Sequence, residues 1–149
     1  MLRRLAAVVL VVACACSTSR NLNCEARGTM VEKKIEAVCR WNKTGFHVKA
    51  GKTYRFHASG EWDDLSHHCK ADGYPSPWYL SPWVVIRRVP SARWFALIGT
   101  VEGADRFVIG IDRTWTAPRD GELWCYANDV WFMYFNNSGF VTLQIEEVT

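Results

Sequence analysis

The sequence predicts an all-β sandwich. Short runs alternating apolar and polar residues recur at intervals of roughly 8–12 residues, with turns between them. Eight Trp, seven Phe and five Tyr supply bulky rings of the kind that fill the space between two sheets, so most of the Trp residues are expected in the core. Pro75, Pro77 and Pro82 interrupt the one long stretch without alternation and exclude a helix or central strand there. At 149 residues, 49% apolar and 22% charged, the chain makes one domain with a real core and is not a disordered polymer.

In chain order, Val31–Trp41 fits a helical face through Val31, Ile35 and Val38, or a strand through Ile35, Ala37, Cys39 and Trp41. The β character of everything downstream decides for a strand. After the Ala50-Gly51-Lys52 turn, Tyr54, Phe56 and Ala58 alternate with Thr53, Arg55 and His57 up to Gly60. Glu61 to Pro82 reads as an irregular loop, and loops of that length are usually functional or pinned by a crosslink. Strands are expected at Trp83–Arg88, Trp94–Val101, Arg106–Ile109 and Thr114–Ala117. Two more follow the Pro118-Arg119-Asp120-Gly121 turn, at Glu122–Ala127 and Gly139–Ile145. In the last, Val141, Leu143 and Ile145 alternate with Thr142, Gln144 and Glu146, one face buried and one wet.

Residues 1–13 read as an export signal, 14–30 as a tether and 31–149 as the domain. Arg3 and Arg4 precede the apolar run Leu5 to Ala13, which is too short to span a bilayer as a helix. The run ends Val11-Val12-Ala13-Cys14, which resembles a bacterial lipobox and implies cleavage before Cys14 with lipidation of its thiol. Cys16 is a second acceptor, and an ordinary secretory signal is the alternative. Without those 13 residues the net charge falls from +3 to +1, which gives no electrostatic case for nucleic acid. Membrane contact is expected through an N-terminal lipid only. Cys24, Cys39, Cys69 and Cys125 allow three pairings. Cys24–Cys39 would pin the N-terminal segment and Cys69–Cys125 would tie the long loop to a core strand; both suit an oxidising compartment.

Between the last two strands lies a polar loop with Asn128, Asp129, Asn136 and Asn137. One carboxylate and three amides between apolar strands offer the oxygens that a hard cation such as Ca2+ takes. The same residue types also simply favour turns.

Seven segments in order add a resemblance. They are Lys49-Ala50-Gly51-Lys52-Thr53-Tyr54, Ala58-Ser59-Gly60-Glu61-Trp62, Ala96-Leu97-Ile98-Gly99, Phe107-Val108-Ile109-Gly110, Asp120-Gly121-Glu122-Leu123, Asn128-Asp129 and Tyr134-Phe135-Asn136-Asn137-Ser138-Gly139. In this order and spacing, the stretch from about residue 48 to about residue 147 resembles the bacterial calcium-dependent galactose-specific lectin family. That resemblance implies a galactose-binding-like jelly-roll β-sandwich with calcium at one end, its shell completed by two sugar hydroxyls. By position, Asp129, Asn136 and Asn137 would supply side-chain oxygens, Met133 its carbonyl, and Asp63 or Asp64 a further carbonyl. Such a shell of about five or six oxygens leaves positions open for a vicinal diol, which Asp129 and Asn136 would also hydrogen-bond. The family's galactose-contacting His and Gln have no counterpart in Ser76-Pro77-Trp78-Tyr79-Leu80-Ser81, where Trp78 or Tyr79 could stack on a sugar ring. Trp131 and Phe132 would either close the site or pack the metal loop down.

Other constellations carry less. His67-His68-Cys69, with His57 and Asp63 or Asp64, holds zinc- or copper-type ligands, but adjacent strand residues rarely aim at one ion. No Gly-x-Ser-x-Gly, His-Glu-x-x-His or phosphate-cradling glycine loop is present. Glu61, Asp63 and Asp64 are neighbouring carboxylates of the kind that is usually just solvated and not a glycosidase pair. The expectation is a non-enzymatic, calcium-assisted carbohydrate-binding lipoprotein of the bacterial envelope or a secreted protein, able to form a homo-oligomer. The alternative is a structural or interaction β-sandwich of the envelope that binds no sugar.

Overall fold

The computed structural model describes residues 30–148; the signal, the tether up to residue 29, and Cys14, Cys16 and Cys24 lie outside the described residues. The strands in chain order are β1 (Val31–Glu36), β2 (Asn42–Val48), β3 (Thr53–Asp64), β4 (His67–Cys69), β5 (Leu97–Val101), β6 (Ala104–Val108), β7 (Asp112–Thr116), β8 (Gly121–Ala127) and β9 (Asn137–Val148). They form two antiparallel sheets, which makes the fold the expected all-β sandwich. One sheet runs β1-β9-β3, with β7 and β4 sharing the far edge of β3; the other runs β2-β8-β5-β6.

The β3–β9 pairing is the spine. Its register runs unbroken from Thr53 opposite Val148 to Asp64 opposite Asn137. Alternation puts Tyr54, Phe56, Ala58 and Trp62 of β3 and Val141, Leu143 and Ile145 of β9 on the inner face. Val48, Leu97, Val101, Leu123 and Cys125 of the other sheet meet them in one core cluster. β5 is buried along its whole length because a second, smaller cluster (Ala92, Ala96, Ile98 and Tyr126, backed by Trp41 and Val89) covers its outer face.

Several expectations are corrected. The first strand stops at Glu36 instead of reaching Trp41. β3 runs past Gly60 to Asp64 and turns back through Leu65-Ser66 into β4, so the expected loop begins as a hairpin. Trp83–Arg88 is not a strand: Trp78–Ile86 forms a 3-10 segment with Pro82 inside it. Proline's fixed φ suits a 3-10 turn, which is why it breaks an α-helix but not this segment. Only Trp62 and Trp94 of the eight Trp are buried; Trp78, Trp83 and Trp131 are exposed, because ring count says nothing about which face a ring occupies.

Among the described residues Cys39, Cys69 and Cys125 form no disulfide with one another, so the Cys69–Cys125 bridge does not form. Cys69 pairs with Trp62 at the edge of one sheet, while Cys125 lies on β8 of the other. Packed sheets stand about 10 Å apart, beyond the roughly 7 Å between Cα atoms that a disulfide tolerates. Burial pushes the Cys69 thiol up to about 12, so it stays protonated. Cys24, the expected partner of Cys39, is outside the described residues.

Candidate functional site

β8 ends in one sheet and β9 begins in the other, so residues 128–136 must cross over the end of the sandwich. This crossing is stitched down residue by residue. Asn128 is fully buried; its Oδ1 accepts from the Val89 N–H (2.9 Å), and its Nδ2 donates to the Val89 and Arg93 carbonyls (3.0 and 2.9 Å). Every polar atom of this side chain is thus spent on backbone, and it has no oxygen left for a ligand.

Asp129, one residue on, faces the other way. Its Oδ1 accepts the Val130 N–H at 2.6 Å and its Oδ2 accepts Asn137 Nδ2 at 3.1 Å. Burial, the largest cause, and then the charge of Asp64 push the Asp129 carboxyl up to about 6. The Asn136 N–H donates to the Met133 carbonyl (3.2 Å), and the Asn136 carbonyl accepts the Leu65 N–H (3.3 Å), which joins this loop to the β3–β4 turn. Asn136 Oδ1 and Asn137 Oδ1 are both buried without a hydrogen-bond partner.

The opposing wall comes from that turn. Leu65 sits at φ 54, a left-handed position that a bulky residue seldom takes. Asp64 turns inward and accepts the Tyr74 hydroxyl, and burial raises its pKa. Asp63 lies on the opposite side, bonded to His68 Nδ1 (2.5 Å) and Ser138 Oγ (3.5 Å). The Tyr74 ring stacks on His67 at 4.9 Å, and His67 Nε2 lies 3.0 Å from the Tyr79 hydroxyl. Gly73 makes this layer possible: at φ 67, a Cβ there would meet the Trp94 carbonyl at 2.0 Å. Its absence lets the Tyr74 N–H reach that same carbonyl at 2.8 Å.

The third wall is the 3-10 segment, held at its far end by Arg87. This buried guanidinium lies 4.8 Å over Trp94 and donates to the Pro90 carbonyl (2.6 Å) and Ser76 Oγ (3.4 Å). Together the walls enclose an open cavity of about 280 Å³. Asp64, His67, Tyr74, Asp129 and Asn136 line its polar side; Leu65, Tyr79, Leu80, Trp83, Trp94, Val130 and Met133 line the rest.

The structure therefore brings Asp64, Tyr79, Asp129, Met133 and Asn136 to one cavity, with Asn137 hydrogen-bonded to Asp129 directly behind it. It leaves Asp63 and Trp78 outside, although Trp78 packs edge-on against Tyr79 with ring centroids 5.9 Å apart. Trp131 and Phe132 do not line the cavity; Trp131 packs on Trp41 instead. His67 and His68 diverge, one toward the cavity and one between Glu61 and Asp63, as strand alternation demands.

A solved structure described as "EclA N-terminal domain; PllA-like lectin" aligns with 80% of this chain and 98% of its own, at a TM-score of 0.62 and 17% identity. The two chains share a fold. The sequence matches no protein-family model and no curated protein.

Two inward carboxylates, two orphaned amide oxygens and nearby carbonyls form an all-oxygen donor set, which fits calcium in kind. Among the described residues, no three His, Cys, Asp or Glu side chains gather as a metal centre, so nothing here resembles the nitrogen- and sulfur-rich sites of zinc or copper. Sequence reading missed Tyr74, Trp83 and Trp94. The length of the proline-rich loop pointed toward Tyr74 alone, while Trp83 and Trp94 read as the first residues of strands.

Proposed function

We propose that this chain is a non-enzymatic carbohydrate-binding domain that holds a saccharide diol on calcium at the open end of the sandwich. One observation carries the reading: two buried, unpartnered amide oxygens, Asn136 Oδ1 and Asn137 Oδ1, stand beside buried Asp129 at a cavity that Asp64 also lines. Orphaned buried acceptors are costly, and a cation that takes them as ligands removes that cost. The solved domain of the same fold is described as a lectin, and that role is carried over here.

Asp129, Asn136 and Asn137 would hold the ion through side chains, with carbonyls from Met133 and the Asp64 turn. Bound there, calcium supplies open coordination positions for two hydroxyls. Asp129 and Asn136 would fix the orientation of the diol, and Tyr79 and Trp83 would present ring faces to pyranose C–H groups. Neither Trp131 nor Phe132 lines the cavity as a cap would, which speaks against a purely structural role. With few carboxylates, calcium affinity should fall at the weak end for extracellular modules, roughly 10⁻⁴–10⁻³ M. We place the domain on the outside of a bacterial cell or in its envelope, delivered by the N-terminal signal.

The decisive experiment is a glycan array probed with the mature protein in excess calcium and again in chelator. Binding to at least one glycan class that disappears on chelation is expected. Glycan binding that survives chelation unchanged would remove the metal from the reading, and no binding in either condition would remove the sugar.

A further inference from the structure

We infer that Arg88 is a positioning residue for this site: its guanidinium, gripped by an aromatic layer behind the crossing, fixes where Asp129 presents its carboxylate. The inference deepens the proposed function and, for its effect on calcium, rests on it. It starts from the Arg87-Arg88 pair. Adjacent basic residues are ordinarily solvated, yet Arg87 is buried and Arg88 half-buried. Among the described residues their side chains bond carbonyls and hydroxyls, and no carboxylate.

The backbone sends the two side chains apart. Arg87 is extended and bridges Val130, while the Arg88 N–H donates to the Asp129 carbonyl at 3.1 Å. Successive side chains of an extended chain leave on opposite sides. Arg87 goes to Trp94, Ser76 and Pro90, which frame the 3-10 wall. Arg88 goes behind the crossing. Its Cζ lies 3.3 Å from the centre of the Tyr126 ring, 4.1 Å from Trp41, 4.9 Å from Trp131 and 5.6 Å from Tyr134. Its Nη1 donates to the Arg40 carbonyl (2.6 Å) and to the Tyr134 hydroxyl (2.7 Å).

These contacts reach the crossing at four points. The Tyr134 hydroxyl passes the tie on to the Ala127 carbonyl at 2.5 Å. Arg40, whose carbonyl Arg88 takes, donates Nε to the Trp131 carbonyl at 2.9 Å. With the bond to the Asp129 carbonyl, Ala127, Asp129, Trp131 and Tyr134 are all held from the rear. The guanidinium thus secures both flanks of Asp129, whose carboxylate turns forward to the Val130 N–H, Asn137 and the cavity. A lysine would carry the charge without the planar group that stacks on rings while donating to two oxygens. Groups that orient a metal ligand from behind typically govern affinity by about 10–100-fold.

The test, in the mature protein, compares Arg88→Met, which keeps the apolar stem, with Val48→Ala. The latter is a core truncation opposite Gly121, at the start of β8, and so remote from the crossing that follows the end of that strand. The Val130 amide donates to Asp129 Oδ1, so its hydrogen exchange reads the carboxylate with no metal present. By NMR it should exchange at least about tenfold faster, relative to the amides of β9, in Arg88→Met than in Val48→Ala. Terbium, a luminescent stand-in for calcium, should bind Arg88→Met about tenfold more weakly. Its lifetimes in H2O and D2O should count about one more bound water than in the parent, as a ligand is lost. Val48→Ala should match the parent in both terbium measurements, and Arg88→Lys should recover little of either loss. Val130 exchange in Arg88→Met no faster than in Val48→Ala would overturn the inference, as would full recovery by Arg88→Lys. A parent that binds no terbium would remove the calcium reading and leave Val130 exchange to decide on Arg88 alone.

Discussion

Two of the three walls of the cavity, the crossing and the 3-10 segment, are built on opposite rules. The crossing from Asn128 to Asn137 buries Asn128, Asp129, Val130, Tyr134 and Asn137 while Trp131, Phe132 and Phe135 stay exposed, and Asn128, Asp129 and Tyr134 tie it to backbone, the Tyr134 hydroxyl donating to the Ala127 carbonyl at 2.5 Å. The wall from Trp78 to Ile86 is apolar, exposed, and secured mainly at its end by Arg87. The proposed calcium site needs oxygens held to within a fraction of an ångström, which only the first wall offers. The second needs only to present surface, which tolerates looseness. Preorganisation is spent where geometry matters.

The largest blow to that division should come from Asp129→Ala. Removing this carboxylate should abolish calcium and glycan binding in titration calorimetry, by about 100-fold or more, given one charged ligand of few. The circular dichroism spectrum should stay the same, since a desolvated charge is lost along with its bonds. Asn128→Ala, one residue away, should do the reverse. It strips partners from the Val89 N–H and two carbonyls and should cost about 3 kcal/mol in denaturant unfolding, whatever the ligand.

Acidity should sharpen the contrast with a smaller effect. With the Asp129 carboxyl at about 6, protons compete with calcium, so affinity should fall about tenfold between pH 7 and pH 5. The folded, metal-free protein holds a proton that the unfolded chain releases near the ordinary carboxylate value. Its stability should therefore fall as pH rises from about 4 to about 6, and excess calcium should cancel that fall; thermal melts across the window test both. Smallest of all, Tyr79→Ala should weaken glycan binding about fivefold while sparing calcium. Trp131→Ala should leave both unchanged, because its ring packs on Trp41 away from the cavity; a loss of calcium binding there would mean the exposed outer face of the crossing also helps set the ligands.

Much of this was legible in the residues. β3, β8 and β9 could be read because their inner and outer faces alternate with period two and Gly, Pro or Asp marks their ends. The β3–β4 hairpin was hidden because Leu65 holds a left-handed turn position where a glycine or asparagine would have announced it. Trp83–Arg88 looked like a strand through its β-branched and aromatic content, but those residues lie in and just after an exposed 3-10 segment with Pro82 inside it. In the site, the cluster of Asn and Asp near the C-terminal end was visible. What could not be seen was which of two neighbours faces inward: Asp129 but not Asn128, Asp64 but not Asp63.

The position of the cavity at the tip of the β3–β9 spine has a mechanical side. The chain enters β1 at Val31, at the other end of that sheet, while Asp64 and Asn137 close the last rung at the cavity. A tug between a captured ligand and an anchored N-terminus would run lengthwise along β1 and β9, which are antiparallel. The six rungs from Val31–Ile145 to Glu36–Phe140 would then bear the load together in shear rather than peel one by one. Pulled from those two points in an optical trap, the domain should rupture at markedly higher force than when β1 is unzipped from one end.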